Sequence, residues 1–257
     1  MISPLANVSP KAKIGKNVTI EAFATVYHDV EIGDDTYIHP NALIYPDTVI
    51  GSGCKIFPGA IIGIVNQDLK YKGERSTTVI GNNTTIREYA TIHKGTADRM
   101  TTKVGDNCLI MAYTHLGHDC IVGNNVIVAN NGSLAGHITI QDFAILEGVV
   151  AAQQFVNIGR HAFVAGASLV RKSVPPYIRV AREPLQFIGV NTIGLARRGF
   201  DKETIKQIED IYRIIFVRGH NISNALDIVE SEMPDTAIRR EIVDFIRNQP
   251  DGIVKGI

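Results

Sequence analysis

Ile32-Gly33-Asp34-Asp35-Thr36-Tyr37-Ile38-His39-Pro40-Asn41-Ala42-Leu43-Ile44-Tyr45-Pro46-Asp47-Thr48-Val49-Ile50 places an aliphatic residue at every sixth position. Counted outward, the beat starts at Ile2, holds to Ile62, resumes at Ile80, Ile86 and Ile92, and runs from Val104 to Val170. Of the 29 positions in this register from 2 to 170, 25 are Ile, Leu or Val, too many for chance spacing. Neither an amphipathic helix nor an alternating strand has a period of six. A short strand plus a turn does. Three such units close a triangular coil of eighteen residues with the aliphatic side chains pointing inward, and coils stack strand on strand about 4.8 Å apart. The expected fold is therefore mainly β, a parallel β-helix.

Two further slots of the hexad agree. The residue after the aliphatic one is often glycine, as at Gly15, Gly33, Gly51, Gly81, Gly105, Gly117 and Gly123, where a corner calls for an unhindered backbone. The residue four places after it is usually small, as at Ala24, Ala42, Ala60, Ala90, Ala144 and Ala162. Cys54, Cys108 and Cys120 all fall in that slot, which reads them as small buried hydrophobes rather than nucleophiles. Their odd number and the lack of a Cys-x-x-Cys pair argue against a disulfide framework or a zinc ribbon.

The 257 residues are 45% hydrophobic, enough for a sizeable core. Lys plus Arg equals Asp plus Glu at 26 each, so no net field favours nucleic acid or an anionic membrane. No stretch reads as a secretory leader or a transmembrane segment, and a cytoplasmic protein is expected.

The beat fails at Asp68, Glu74 and Asp98, marking two loops ejected from the prism, about 65–78 and 94–102. Loops whose flanking repeats stay in register cost little entropy to close and often carry function. The beat stops at Val174-Pro175-Pro176-Tyr177. Residues 1–185 are thus assigned to the β-helix and 186–257 to a small C-terminal helical domain. Asp201 is the expected N-cap of a helix with Ile205, Ile208, Tyr212 and Ile215 on one face, and further helices are expected over about 223–233 and after Pro234-Asp235. From Arg171 to Arg218 there are ten basic and five acidic residues, a basic junction in a neutral chain.

His115, His118 and Asp119 fall within five residues. Adding one coil of eighteen places Gly136 over His118 and His137 over Asp119, and a second coil places Gln154 over Gly136. Residues 115, 118, 119, 137, 153 and 154 therefore line one edge of consecutive coils. An imidazole beside a carboxylate is the usual arrangement of a general base, because the carboxylate fixes the tautomer and stabilises the imidazolium. A glycine next to it can offer its N–H to an oxyanion. Acyl transfer suits this set. With no Ser or Cys nucleophile in place, direct transfer is expected.

The ordered set Gln67-Asp68-Leu69-Lys70-Tyr71, Thr91-Ile92-His93-Lys94-Gly95-Thr96, Gly117-His118-Asp119-Cys120, Leu134-Ala135-Gly136-His137, Gln154-Phe155 and Arg197-Arg198-Gly199-Phe200 resembles one family over nearly the whole chain. That family is the hexapeptide-repeat UDP-N-acetylglucosamine O-acyltransferases, which use acyl carrier protein and open lipid A biosynthesis. The resemblance implies a left-handed β-helix, although crossovers are normally right-handed. It implies a homotrimer, His118 as base oriented by Asp119, and Gly136 N–H as oxyanion donor. Gln67, Asp68, His115, His137 and Gln154 would meet the sugar nucleotide. Lys70 and Arg197 would engage the substrates or the phosphopantetheine arm, and Asn191 and Arg198 the nucleotide end. Gly166 would be the acyl-chain ruler, with glycine leaving room for a long 3-hydroxyacyl chain. No metal and no cofactor beyond the carrier's own phosphopantetheine are implied, and the acidic carrier protein would meet the basic junction.

The chain departs from that pattern at Gln153, where relatives have His, and at Ile193, where many have Glu. No residue distinguishes a 3-hydroxyl from a 3-amino sugar acceptor. Rival readings are an acetyl-CoA-dependent hexapeptide acyltransferase and a γ-type carbonic anhydrase with zinc on His93, His115, His118 or His137.

Overall fold

The computed structural model describes residues 1–256. Short parallel strands, most of two residues, form three sheets of nine, eight and ten strands that are the faces of a left-handed triangular prism. Strands three apart in the chain pair with each other, as in His115–Leu116 with Ser133–Leu134, eighteen residues on. The aliphatic beat is the core: Ile20, Ile38, Ile56, Ile86, Ile110, Val128, Leu146 and Val164 stack on one face, each at most 1% exposed. Cys54, Cys108 and Cys120 are buried among them as free thiols.

At the corners the left-handed residue is not the glycine after the aliphatic but the residue two places further on. It is filled by Asn17, Asp35, Asn83, Asp119, His137 and even Phe23 and Tyr113, all with φ near +60°. Asn and Asp tolerate that region best. Most of the post-aliphatic glycines serve close approach instead, since a Cβ on Gly105 would stand 2.5 Å from the Gly123 carbonyl oxygen of the next coil. Asx side chains staple this corner vertically: the Asp106 carboxylate accepts from Asn82 N at 2.6 Å, and Asp142 from Asn124 N at 2.7 Å.

Both interruptions leave the register intact. Ile50 pairs with Ile80 and Ile80 with Val104, so the extra residues, numbered 65–76 and 94–100 between strands, leave the prism at one corner. Glu74 ties the two loops together by accepting from Ala97 N at 3.0 Å.

Past the last coil, the strand Gln186–Val190 turns back antiparallel on Ile178–Ala181, so the sheet continues beyond 185 before any helix begins. Four helices follow: α1 (Thr192–Arg197), α2 (Lys202–Phe216), α3 (Ile222–Glu232) and α4 (Ala237–Arg247). Asp201 caps α2, accepting from Thr204 N. The short α1 was not anticipated from the sequence, because six residues carry too little of a 3.6-residue period to register. Tyr212 of α2 is fully buried and donates its hydroxyl to Pro176 O at 2.6 Å, fastening the tail to the prism.

Candidate active site

The nine-stranded face meets the eight-stranded face at the corner that carries both loops. There Gln67, Asp68, Leu69, Lys70, His93, His115, His118, Gly136, Gln153, Gln154 and Arg171 enclose a cleft of about 810 Å³. Most of the stacked polar edge read from the sequence is in it.

His118 is 6% exposed and Asp119 fully buried, and His118 Nδ1 lies 2.9 Å from Asp119 Oδ2. An ionised carboxylate only accepts, so in the neutral ring Nδ1 carries the proton and Nε2 the lone pair. Nε2 faces Asp68 Oδ2 at 3.8 Å, a gap too long for a direct hydrogen bond. One coil on, Gly136 lies against the ring. A Cβ there would meet Cε1 and Nε2 at 2.5 Å, so only glycine lets the imidazole lie there. Among the described residues the Gly136 N–H has no backbone acceptor.

Asp119 is held from the second loop. Its Oδ1 accepts from Thr96 N at 3.0 Å and Arg99 N at 3.3 Å, and Oδ2 from Thr96 Oγ1 at 2.6 Å. Burial alone would raise this carboxyl, yet the Thr96 hydroxyl, His118 and the Thr96 N–H together hold it below the usual carboxylate value. His93 and His115, which also line the cleft, are shifted toward the neutral form. Burial, then the neighbouring His115 and His118, push His93 down to about 4, and burial followed by His118 lowers His115. His115 Nδ1 is paired with Thr91 Oγ1 at 2.8 Å. Lys70 and Arg171 supply positive charge at the cleft.

His137 does not line the cleft. It packs behind His118 edge to face at 4.9 Å, stacks on Phe155 at 4.5 Å, and points Nε2 between Asp98 at 3.5 Å and Asp119 at 3.8 Å. Asn191 is buried as the N-cap of α1, its oxygen accepting from Gly194 N and its Nδ2 donating to His161 O at 2.9 Å. Arg198 lies over the Phe143 ring at 4.4 Å, and Arg197 is exposed in the last turn of α1. Gly166 sits at the opposite edge of the nine-stranded face, where its N–H donates to Glu147 Oε2 at 3.0 Å. The sequence reading gave His93 no role beyond zinc ligation in a rival reading, and none to Thr96, Arg99 or Arg171. All four lie in or beside the second loop or beyond the repeat, though Thr91-Ile92-His93-Lys94-Gly95-Thr96 had stood out as a motif.

Zinc fits this corner poorly. His118, Asp119 and His137 bring three ligand atoms within 4.8 Å of one another. Both Asp119 oxygens, however, already accept two donors each, so a metal would have to displace Thr96, Arg99 or His118.

Two family models match the chain: the bacterial transferase hexapeptide repeat over residues 11–46, 29–64 and 101–136, and domain 2 of UDP N-acetylglucosamine O-acyltransferase over residues 174–254. A relative from Aliivibrio fischeri, named as an acyl-[acyl-carrier-protein]–UDP-N-acetylglucosamine O-acyltransferase, is 45% identical over 99% of this chain and 100% of its own. One of the same name from Pseudomonas paraeruginosa is 43% identical over 99% of both chains. The solved structure of a UDP-N-acetylglucosamine acyltransferase from Bacteroides fragilis superposes with a TM-score of 0.98 at 47% identity, over 99% of this chain and 100% of that one.

Proposed function

The chain belongs to the UDP-N-acetylglucosamine O-acyltransferase family, and from that premise we propose that it moves an (R)-3-hydroxyacyl group from acyl carrier protein to the 3-hydroxyl of UDP-N-acetylglucosamine. The observation that carries this reading is the His118 ring, locked by Asp119 on one nitrogen, with the other nitrogen facing the cleft beneath Gly136.

His118 Nε2 takes the proton of the acceptor hydroxyl as its oxygen attacks the thioester carbonyl. The Asp119 carboxylate stabilises the resulting imidazolium, and the Gly136 N–H stabilises the oxyanion of the tetrahedral intermediate. When the carbon–sulfur bond breaks, His118 returns the proton to the leaving thiolate of the phosphopantetheine arm. Base and oxyanion donor come from the chain, so this chemistry calls on no metal or further cofactor.

Gln67, Asp68, His115 and Gln154 line the cleft and are assigned to the sugar nucleotide, with Lys70 and Arg171 offering positive charge to its diphosphate. His137 supports the dyad from behind. The opposite-edge position of Gly166, and the places of Asn191, Arg197 and Arg198 outside the cleft of one chain, support a homotrimer in which a neighbouring prism completes the site. Acidic acyl carrier protein is assigned to the basic junction. No helix among the described residues is long and apolar enough to cross a membrane, and the reaction is assigned to the cytoplasm with the carrier.

The test is mass-spectrometric detection of transfer from 3-hydroxytetradecanoyl carrier protein to UDP-N-acetylglucosamine and, in parallel, to its 3-amino analogue. Wild type acylates the hydroxyl sugar, and His118→Ala loses about two to four orders of magnitude in rate. Reaction with the amino sugar alone would replace the acceptor, and no transfer to either would overturn the reading.

A further inference from the structure

A buried carboxylate has about four lone-pair positions, and those of Asp119 are all taken. Only one goes to His118. Thr96 takes two, through its N–H and its hydroxyl, from a loop that no repeat dictates. The loop is held close to do so. A Cβ on Gly95 would stand 2.3 Å from Thr101 N, and Gly95 O accepts from Ser76 Oγ and Asn66 Nδ2 of the first loop. Thr96 itself is 5% exposed and is not among the residues that line the cleft.

We propose that Thr96 is a positioning residue for the general base: by donating to both oxygens of the Asp119 carboxylate it fixes that group's plane, and so fixes His118. The inference rests on the acyl-transfer reading above. The alternative partner is close. The same Oδ2 that binds His118 lies 3.8 Å from His137 Nε2, and without the Thr96 hydroxyl at 2.6 Å only His118 holds that oxygen against a turn toward the second imidazole. His118 would then lose the acceptor that sets its tautomer. Arg99 reinforces the clamp, its guanidinium donating to Asp119 O at 3.0 Å, but it leaves Oδ2 alone. Thr96 is therefore the residue that governs the oxygen shared with the base.

Thr96→Val removes the hydroxyl and keeps the shape, and Thr96→Ser restores the hydroxyl; Thr96→Ala carries the comparison if Val does not fold. With a hydrogen bond to a charged group lost, kcat for Thr96→Val should fall about ten- to a hundredfold while both KM values stay within about twofold. With the carboxylate turned away, the imidazolium that forms when the base is protonated loses its stabilisation, so the base stays free to lower pH. The acid limb of the kcat profile should move down by about one pH unit. Thr96→Ser should recover most of the rate and the original limb. A packing role would instead follow the methyl group and spare the pH profile. Wild-type kcat and an unmoved acid limb in Thr96→Val overturn the inference. If wild type transfers acyl groups to neither sugar, the functional reading fails, and a crystal structure of Thr96→Val then decides this one. Asp119 turned toward His137 supports it, and Asp119 still at hydrogen-bond distance from His118 overturns it.

Discussion

A Cβ placed on Gly136 would stand 2.5 Å from both Cε1 and Nε2 of His118, although eighteen residues separate the two in the chain. The ring of the base therefore occupies the volume a side chain at 136 would fill. Gly136→Ala must displace the imidazole, and a misplacement of about 1 Å costs roughly a hundredfold in rate. The expected result is a kcat lower by about that factor with a nearly unchanged melting temperature, because the glycine backbone here is not in the left-handed region. Steady-state kinetics with a crystal structure of the variant checks both. An alanine enzyme with wild-type kcat would mean that this contact does not set the base.

For Gly166 we propose, from the family resemblance, a different job: leaving room for the far end of the acyl chain. Its backbone N–H is pinned to Glu147 Oε2 at 3.0 Å, so a new side chain has a fixed origin. Gly166→Met should shorten the preferred acyl group by about two to four methylenes from about fourteen carbons, each excluded methylene forfeiting ~0.8 kcal/mol of burial. Competition between carrier proteins loaded with different chain lengths reads this directly. An unchanged preference removes Gly166 from the ruler.

His161 sets up a pH dependence of stability. Its ring lies stacked between Phe143 at 4.8 Å and Tyr177 at 5.7 Å and is 3% exposed. Burial, then the charges of Arg160 and Arg198, push it down to about 4. A histidine whose folded value lies below its unfolded value of about 6.5 binds its proton more readily when unfolded. It therefore leaves stability intact above about pH 6.5 and erodes it as the pH falls toward 4, by up to about 3 kcal/mol. His161→Phe should flatten the acid side of the stability curve over that window. Phenylalanine is already accommodated at this corner position one coil earlier, at Phe143 with φ +63°. Denaturant melts from pH 4 to 7 measure the difference, and parallel curves for the two proteins would reject the assignment.

Much of the prism was legible because a fixed coil converts sequence separation into distance. Counting by eighteen from His118 reaches Gly136, and the ring does lie there; counting from Ile110 reaches Val128 and Leu146, and their strands do pair. The three cysteines fell in the small buried slot, and they are buried there. The cap at Asp201 and the apolar faces of α2 and α4 followed from the helical period in the same way. The glycines after the aliphatic residues stand where an unhindered backbone is needed, while the backbone chirality of the corners is carried by the Asn, Asp and aromatic residues two places later.

What the sequence by itself determined is therefore everything that keeps step with the hexad: the coil, the faces, the stacking of His118, Asp119, Gly136 and Gln154, and the existence of two loops ejected from the prism. Tertiary structure alone decided where the residues that leave the beat come to rest. Asp68 could face His118 Nε2, and Thr96 could close over Asp119, only once both loops had folded back onto the corner. Asn191 was turned to capping α1, and Gln186–Val190 to the antiparallel strand, by a tail that docks on the last coil. The physical reason is the same throughout. A periodic segment has one register that buries its aliphatic side chains and so fixes every position at once, whereas an aperiodic loop is placed by a few polar contacts that its sequence does not order.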